Sequence, residues 1–181
     1  MMKDKGIAVN SSLSFLISSF GGNFVSLPMF SPIALNLPPI ALKLSRINNK
    51  IYVFDVLRKK NLVLTPEEWV RQHWVHFLHD YKDYPKSLMK IEGGLVVNDM
   101  QKRSDLVIYN AQGEKIILAE FKAPHVKITS KTFEQISTYN TKHRIPYLLV
   151  SNGIEHHFCK IDFDNGTFEF IEDIPNYIRE T

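Results

Sequence analysis

The segment Lys102–Lys122, KRSDLVIYNAQGEKIILAEFK, decides how this chain is read. It divides into two apolar runs, Asp105–Tyr109 and Lys115–Lys122, joined by the turn NAQG at 110–113. Side chains alternate faces along a strand, so Glu120 and Lys122 share one face and Phe121 takes the other. In an antiparallel hairpin Asp105 falls opposite Leu118 or Glu120, according to register. Either pairing keeps it on the face of Glu120 and Lys122, and a slip by one residue moves it off.

Two carboxylates and an ammonium are thereby gathered on an otherwise apolar sheet. A lone buried carboxylate is costly, and two close together repel. A hard cation such as Mg²⁺, or Mn²⁺ in its place, relieves that conflict through oxygen ligands at about 2.0–2.1 Å, keeping waters and substrate phosphate in its shell. Asp105 and Glu120 are the candidate metal ligands. Lys122 beside them is placed to hold or deprotonate an attacking water, whose pKa a metal lowers. The chemistry expected is metal-assisted hydrolysis of a phosphodiester.

The chain has 181 residues, 44% of them hydrophobic, enough for one domain with a substantial core. Its net charge of +3 and sequence pI of about 8.9 permit nucleic-acid binding without arguing for it. A single cysteine, Cys159, forms no intramolecular disulfide and favours a reducing cytoplasm. No run reaches the ~18–20 apolar residues of a membrane span.

Residues 1–30 show Ser, Gly and Asn clusters without a sustained period, and are expected to be disordered or outside the natural product, with Met29 a plausible start. Lys3 and Lys5 before LSFLISSF imitate a signal peptide, but the run is short and no A-x-A site follows. Pro32, Pro38 and Pro39 exclude a helix. IALKLSRI and KIYVFDVL then flank Asn48-Asn49 and predict a β-hairpin, with RKKNL at 58–62 as a basic loop or phosphate contact.

Thr65–Tyr81 reads as a helix, with Thr65 as N-cap, Pro66 at the first turn and Glu68 completing a capping box. Val70, Trp74, Phe77, Leu78 and Tyr81 form its apolar stripe. His73, His76 and His79 lack the further ligand that a zinc site needs. LMKIEGGLVV predicts one strand bent at Gly93-Gly94. Lys102 and Arg103 stand before Asp105 as candidates to neutralise phosphate. Pro124 ends the Glu120 strand, and Thr129 or Ser130 caps a second helix on which Gln135 and Tyr139 share a side. IPYLLVSNG is expected to pair parallel with the Glu120 strand across that helix. EHHFCKIDFDNGTFEFIED predicts a hairpin turning at DNG, and IPNYIRET a polar tail.

RSDLVIY…IILAEFKAP, followed by FEQISTYN and YLLVSNG, resembles the PD-(D/E)xK nuclease superfamily. Within it the chain is similar to the N-terminal nuclease domain of the type I restriction enzyme R subunit, in stand-alone form, from about Thr65 to about Phe158. The resemblance implies a restriction-endonuclease-like α/β domain over 31–181, a mixed central sheet flanked by helices and preceded by the N-terminal β-hairpin. It implies that Asp105 is the motif aspartate, Glu120 the motif acid and Lys122 the motif lysine. Gln135 and Tyr139 match the Q-x-x-x-Y feature, with Gln135 supporting catalysis. Glu67 or Glu68 would be the helix acid near the metal, and Arg71, in a VRQ step the family shares, would meet a phosphate or carboxylate. Ser104 stands where the motif has a proline. DNA is the implied substrate, and RNA fits the same chemistry. The alternative is a weakly active or inactive module of this fold that binds nucleic acid or a partner protein.

Overall fold

The computed structural model describes residues 33–91, 95–97, 100–102 and 105–178. The readings of residues 1–30, of Gly93-Gly94 and of Arg103 lie outside these.

Three antiparallel strands come first: β1 (Leu44–Ile47), β2 (Lys50–Asp55) and β3 (Lys60–Val63). Asn48 and Asn49, both at positive φ (48° and 60°), make the tight turn between β1 and β2, a conformation that Asn tolerates well. The expected hairpin is therefore two-thirds of a small sheet. RKKNL is not wholly a loop, since Lys60–Leu62 lie in β3 opposite Val53–Asp55. Ile51 and Val53 alternate inward and pack with Leu64 and Trp69.

Helix α1 (Pro66–Asp80) begins as the sequence predicts, with the Thr65 hydroxyl accepting from the Glu68 amide at 3.1 Å. The other half of the capping box is absent among the described contacts. The Glu68 carboxylate turns instead to Arg58, Arg71 and Gln72.

The principal sheet has six strands in the order β11-β10-β9-β8-β7-β4. These are β4 (Met89–Lys90), β7 (Leu106–Tyr109), β8 (Lys115–Phe121), β9 (Tyr147–Ser151), β10 (His156–Asp162) and β11 (Thr167–Ile171). All neighbours pair antiparallel except β8 with β9, which is parallel and crossed over by α2 (Ser130–His143), as expected. LMKIEGGLVV is divided between two sheets. Its Met89–Lys90 join β7, whereas β5 (Leu95–Val97) pairs with β6 (Met100–Lys102) in a separate two-stranded sheet.

Each face of the six-stranded sheet carries one helix. Val70, Trp74 and Leu78 of α1 pack on Leu106, Ile108, Ile117, Ala119 and Phe121. Ile136 and Tyr139 of α2 pack on Val107, Leu118, Leu148 and Val150. Trp74 is the pivot of the first layer. Its ring stacks on Phe121 (6.2 Å, 14°) and its indole N–H donates to Ser151 Oγ at 2.8 Å. Gly153 (φ +84°) lets Leu35 close in, because a Cβ there would lie 2.7 Å from Leu35 Cδ2. The C-terminal segment is not a free polar tail. Ile174 is buried, Tyr177 N–H donates to Lys82 O, and Tyr84 Oη donates to Pro175 O.

Candidate active site

The β7–β8 register pairs Leu106 with Ala119, which sets Asp105 opposite Glu120 rather than Leu118. The turn is built by Asn110, whose Oδ1 accepts from the amides of Gln112 (3.1 Å) and Glu114 (2.8 Å), and it pairs Tyr109 with Lys115; a one-residue shift between Tyr109 and Ile108 then brings the ladder into the register that aligns Asp105 with Glu120. Asp105 sits where the ladder ends. Its amide donates to Ala119 O (3.2 Å), and its Oδ2 accepts from the Phe121 amide (2.6 Å) in place of a backbone carbonyl. The parallel ladder on the other edge of β8 runs one residue further, through Lys122 N–H to Ser151 O at 2.9 Å. One edge of the Glu120–Lys122 segment is thereby held by a backbone bond and the other by the Asp105 carboxylate.

Lys122 Nζ donates to Glu120 Oε1 at 2.6 Å. The Glu120 carboxyl is pushed up to about 7, first by burial and then by the neighbouring Asp105 charge, with Lys122 acting against both. Burial opposes the charge on Lys122, but its bond to Glu120 and the surrounding carboxylates outweigh that and hold its pKa above the ordinary value. Glu67 is likewise raised by burial and by Asp105, against Arg71 and Lys122. Glu120 and Glu67 are thus both raised by the Asp105 charge, and the common cause is negative charge crowded where water is scarce.

The first turns of α1 bring the counter-charge. Arg71 Nη2 donates to Asp105 Oδ1 (2.6 Å) and to Glu67 Oε1 (3.0 Å), while Nη1 donates to Glu68 Oε2. Glu67, Glu68 and Arg71 fall at i, i+1 and i+4, so one turn of helix presents them together. Glu68 is buried and Glu67 half exposed. Glu67 therefore reaches the Asp105 side of Arg71, and Glu68 faces inward. Behind Glu68 stands Arg58, whose Nη2 lies 3.1 Å from Glu68 Oε1 and whose Nε donates to Asp55 Oδ2 at 2.5 Å. Asp55, 1% exposed, also accepts from the Leu57 and Arg58 amides at 2.8 Å each. An ion-pair chain thus runs Asp55–Arg58–Glu68–Arg71–Asp105.

Other expected residues stand apart. Gln135 is exposed on α2, and among the described residues it hydrogen-bonds none of Asp105, Glu120 or Lys122. Tyr139 is buried in the α2 layer with His143 against its ring (4.6 Å). The sequence reading missed Asp55 and took Arg58 only as part of a basic loop or phosphate contact. Asp55 left a signal, as an acid at an inward position of KIYVFD. The pairing of Arg58 with Glu68 left none, because the two lie ten residues apart in different elements.

Oxygen donors here suit a hard cation. Asp105 and Glu120 keep lone pairs beyond the hydrogen bonds they accept, and Glu67 is near. Among the described residues no three His, Cys, Asp or Glu side chains are grouped to hold a metal by themselves. A cation here would rest on two carboxylates, with water and phosphate completing its shell, which is how Mg²⁺ is usually held.

Residues 66–175 match the family described as type I restriction enzyme R protein N terminus. The chain belongs to this family. The match spans α1 through the end of the six-stranded sheet and leaves out β1–β3. A solved fragment assigned to an HsdR subunit of a type I restriction enzyme from Vibrio vulnificus YJ016 is similar at 19% identity and a TM-score of 0.34, over 49% of this chain and 16% of that one. The chain thus spans under a fifth of that relative's length. No curated protein matches it. Among the described residues no helix is long and apolar enough to cross a membrane.

Proposed function

We propose that this domain is a metal-dependent endonuclease-like unit that hydrolyses phosphodiester bonds in DNA, working in a reducing cytoplasm. The reading is supported above all by Asp105, Glu120 and Lys122 meeting at the ends of two adjacent strands, with Glu120 strained by burial and by Asp105. Family membership supports the nuclease relation and DNA as substrate.

In this reading Asp105 and Glu120 hold Mg²⁺ or Mn²⁺, which when bound lowers the pKa of a water and offsets charge on the phosphate. The Phe121 amide and Arg71 fix the Asp105 carboxylate, so little reorganisation is needed as charge develops. Lys122, held as the ammonium by Glu120, orients the attacking water through its N–H donors, and the water's proton passes to solvent. The water oxygen bonds to phosphorus, the ester P–O bond breaks, and the departing oxygen takes up a proton. RNA would be cut by the same chemistry.

A second reading, a weakly active or inactive module binding nucleic acid or a partner protein, is favoured by one observation. Arg71, the Phe121 amide and Lys122 already engage both oxygens of Asp105 and one of Glu120 within the chain. The test is cleavage of single- and double-stranded DNA by purified protein with Mg²⁺ or Mn²⁺, beside Lys122→Ala. The nuclease reading expects a loss on the order of 10²–10³ in rate. Equal cleavage by both proteins overturns the role of Lys122, and no cleavage by the wild type favours the module.

A further inference from the structure

Charge is concentrated in the small sheet that the family match leaves out. Residues 41–64 hold six cations, Lys43, Arg46, Lys50, Arg58, Lys59 and Lys60, and one acid, Asp55. That segment is therefore +5, against +3 for the whole chain, and the remainder is −2. Asp55 is buried and consumed by Arg58, whereas the other five cations are exposed. No exposed acid interrupts them.

The register sorts this sheet into two faces. Ile51, Val53 and Asp55 turn inward on β2 and pack or pair there. Lys50, Tyr52 and Phe54 turn outward, beside Ser45 and Ile47 of β1 and Asn61 and Val63 of β3. Lys43 Nζ stands 5.9 Å from the centre of the Phe54 ring. Two partly buried aromatic rings, two residues apart on one face and flanked by lysines, are not what a solvated outer face requires. They match what an unpaired strand of nucleic acid needs: π-faces for bases and cations for the phosphates between them. A duplex offers its phosphates but hides its base faces.

We propose that the outward face of β1–β3 is a platform for single-stranded nucleic acid, with Tyr52 and Phe54 stacking bases and Lys43 and Lys50 pairing phosphates. Binding to the platform is independent of the nuclease reading, and only cleavage of the bound strand rests on it. The opposite, inward face of this sheet meets α1 through Trp69, and Arg58 after β2 leads through Glu68 and Arg71 to Asp105.

The experiment is fluorescence anisotropy of the full chain in EDTA, with oligonucleotides of roughly 15 nucleotides as DNA, RNA and DNA duplex, a length near one β-platform's site size. Tyr52→Leu with Phe54→Leu keeps the strand apolar and removes the rings. It should weaken single-strand binding by on the order of tenfold or more and leave duplex binding unchanged. Lys43→Ala and Lys50→Ala should weaken both and reduce the single-strand salt slope by ~0.7 each. Preference for DNA or for RNA names the strand, and either supports the platform. A folded double-leucine variant that binds single strands like the wild type overturns it. Should that variant not fold, photocrosslinking of a 5-bromouracil strand to the wild type decides instead: adducts at Tyr52 or Phe54 support the platform, and adducts only elsewhere refute it. Glu120→Gln should retain binding while losing cleavage. Binding without cleavage by the wild type removes the hydrolytic reading alone, and cleavage without platform binding removes this inference alone.

Discussion

Replacing Glu120 with Gln should stabilise the protein at pH 8 in the absence of divalent ions. The Glu120 carboxyl is 13% exposed, lies opposite Asp105 and is raised from its ordinary 4.5 to about 7. Because its folded pKa lies above its unfolded value, the folded state binds more protons between pH 4.5 and about 7. Stability from this group therefore falls as pH rises through that window and is lost above it. At 1.36 kcal/mol for each tenfold change in proton affinity, the ionised group costs on the order of 3 kcal/mol as an upper bound. Gln keeps the shape but leaves Lys122 without its charged partner, so a net gain of about 1–2 kcal/mol is the expected outcome. Urea unfolding in EDTA from pH 4.5 to 8.5 reads this directly. The two proteins should be nearly equal at pH 4.5 and diverge by pH 8. A variant less stable at pH 8, or a difference that does not change with pH, refutes the claim that Glu120 is strained by burial and by Asp105.

Two further outcomes are expected from the packing. Phe121→Ala removes a fully buried ring stacked on Trp74 and should cost about 3–5 kcal/mol, lowering the melting temperature by on the order of 10 °C; a loss below 1 kcal/mol would contradict its place in the core. His73 is buried with its Nδ1–H donating to Trp69 O, and burial lowers its pKa to about 4. Its folded pKa lies below the unfolded value, so the stability it contributes is lost as pH falls from about 6.5 towards 4; an NMR titration should show the ring neutral until near pH 4, and a midpoint near 6.5 would contradict this.

The part of the fold built from alternation and turns was legible in the sequence. NAQG between two apolar runs marked the hairpin and left its register open between Leu118 and Glu120; a one-residue shift beside Tyr109, which alternation does not foretell, sets Asp105 opposite Glu120. Thr65-Pro66 marked the start of α1, and the helix between two apolar strands implied the parallel β8–β9 pair. What escaped reading was tertiary. β3 is four residues long and half polar, so its pairing with β2 outweighs a weak local signal. Glu68 has a good local role as a cap, yet two arginines and Gln72 claim its carboxylate, because a buried charge needs several partners at once. Gln135 shares a helical side with Tyr139 by spacing, but the helix buries Tyr139 and leaves Gln135 exposed. The closing IPNY lacks any period, and Ile174 is nonetheless buried and Tyr177 tied to Lys82.

At the centre of the proposed chemistry is a single divalent ion shared by the carboxylates of Asp105 and Glu120. Calorimetric titration of the purified protein with Mn²⁺, beside Asp105→Asn and Glu120→Gln, measures it. The expected result is one ion per chain for the wild type and at least tenfold weaker binding for each variant, the size of loss expected when charged oxygen donors are removed from a site held by only two. Wild-type protein that binds no Mn²⁺, or variants that bind it as tightly as the wild type, would contradict it.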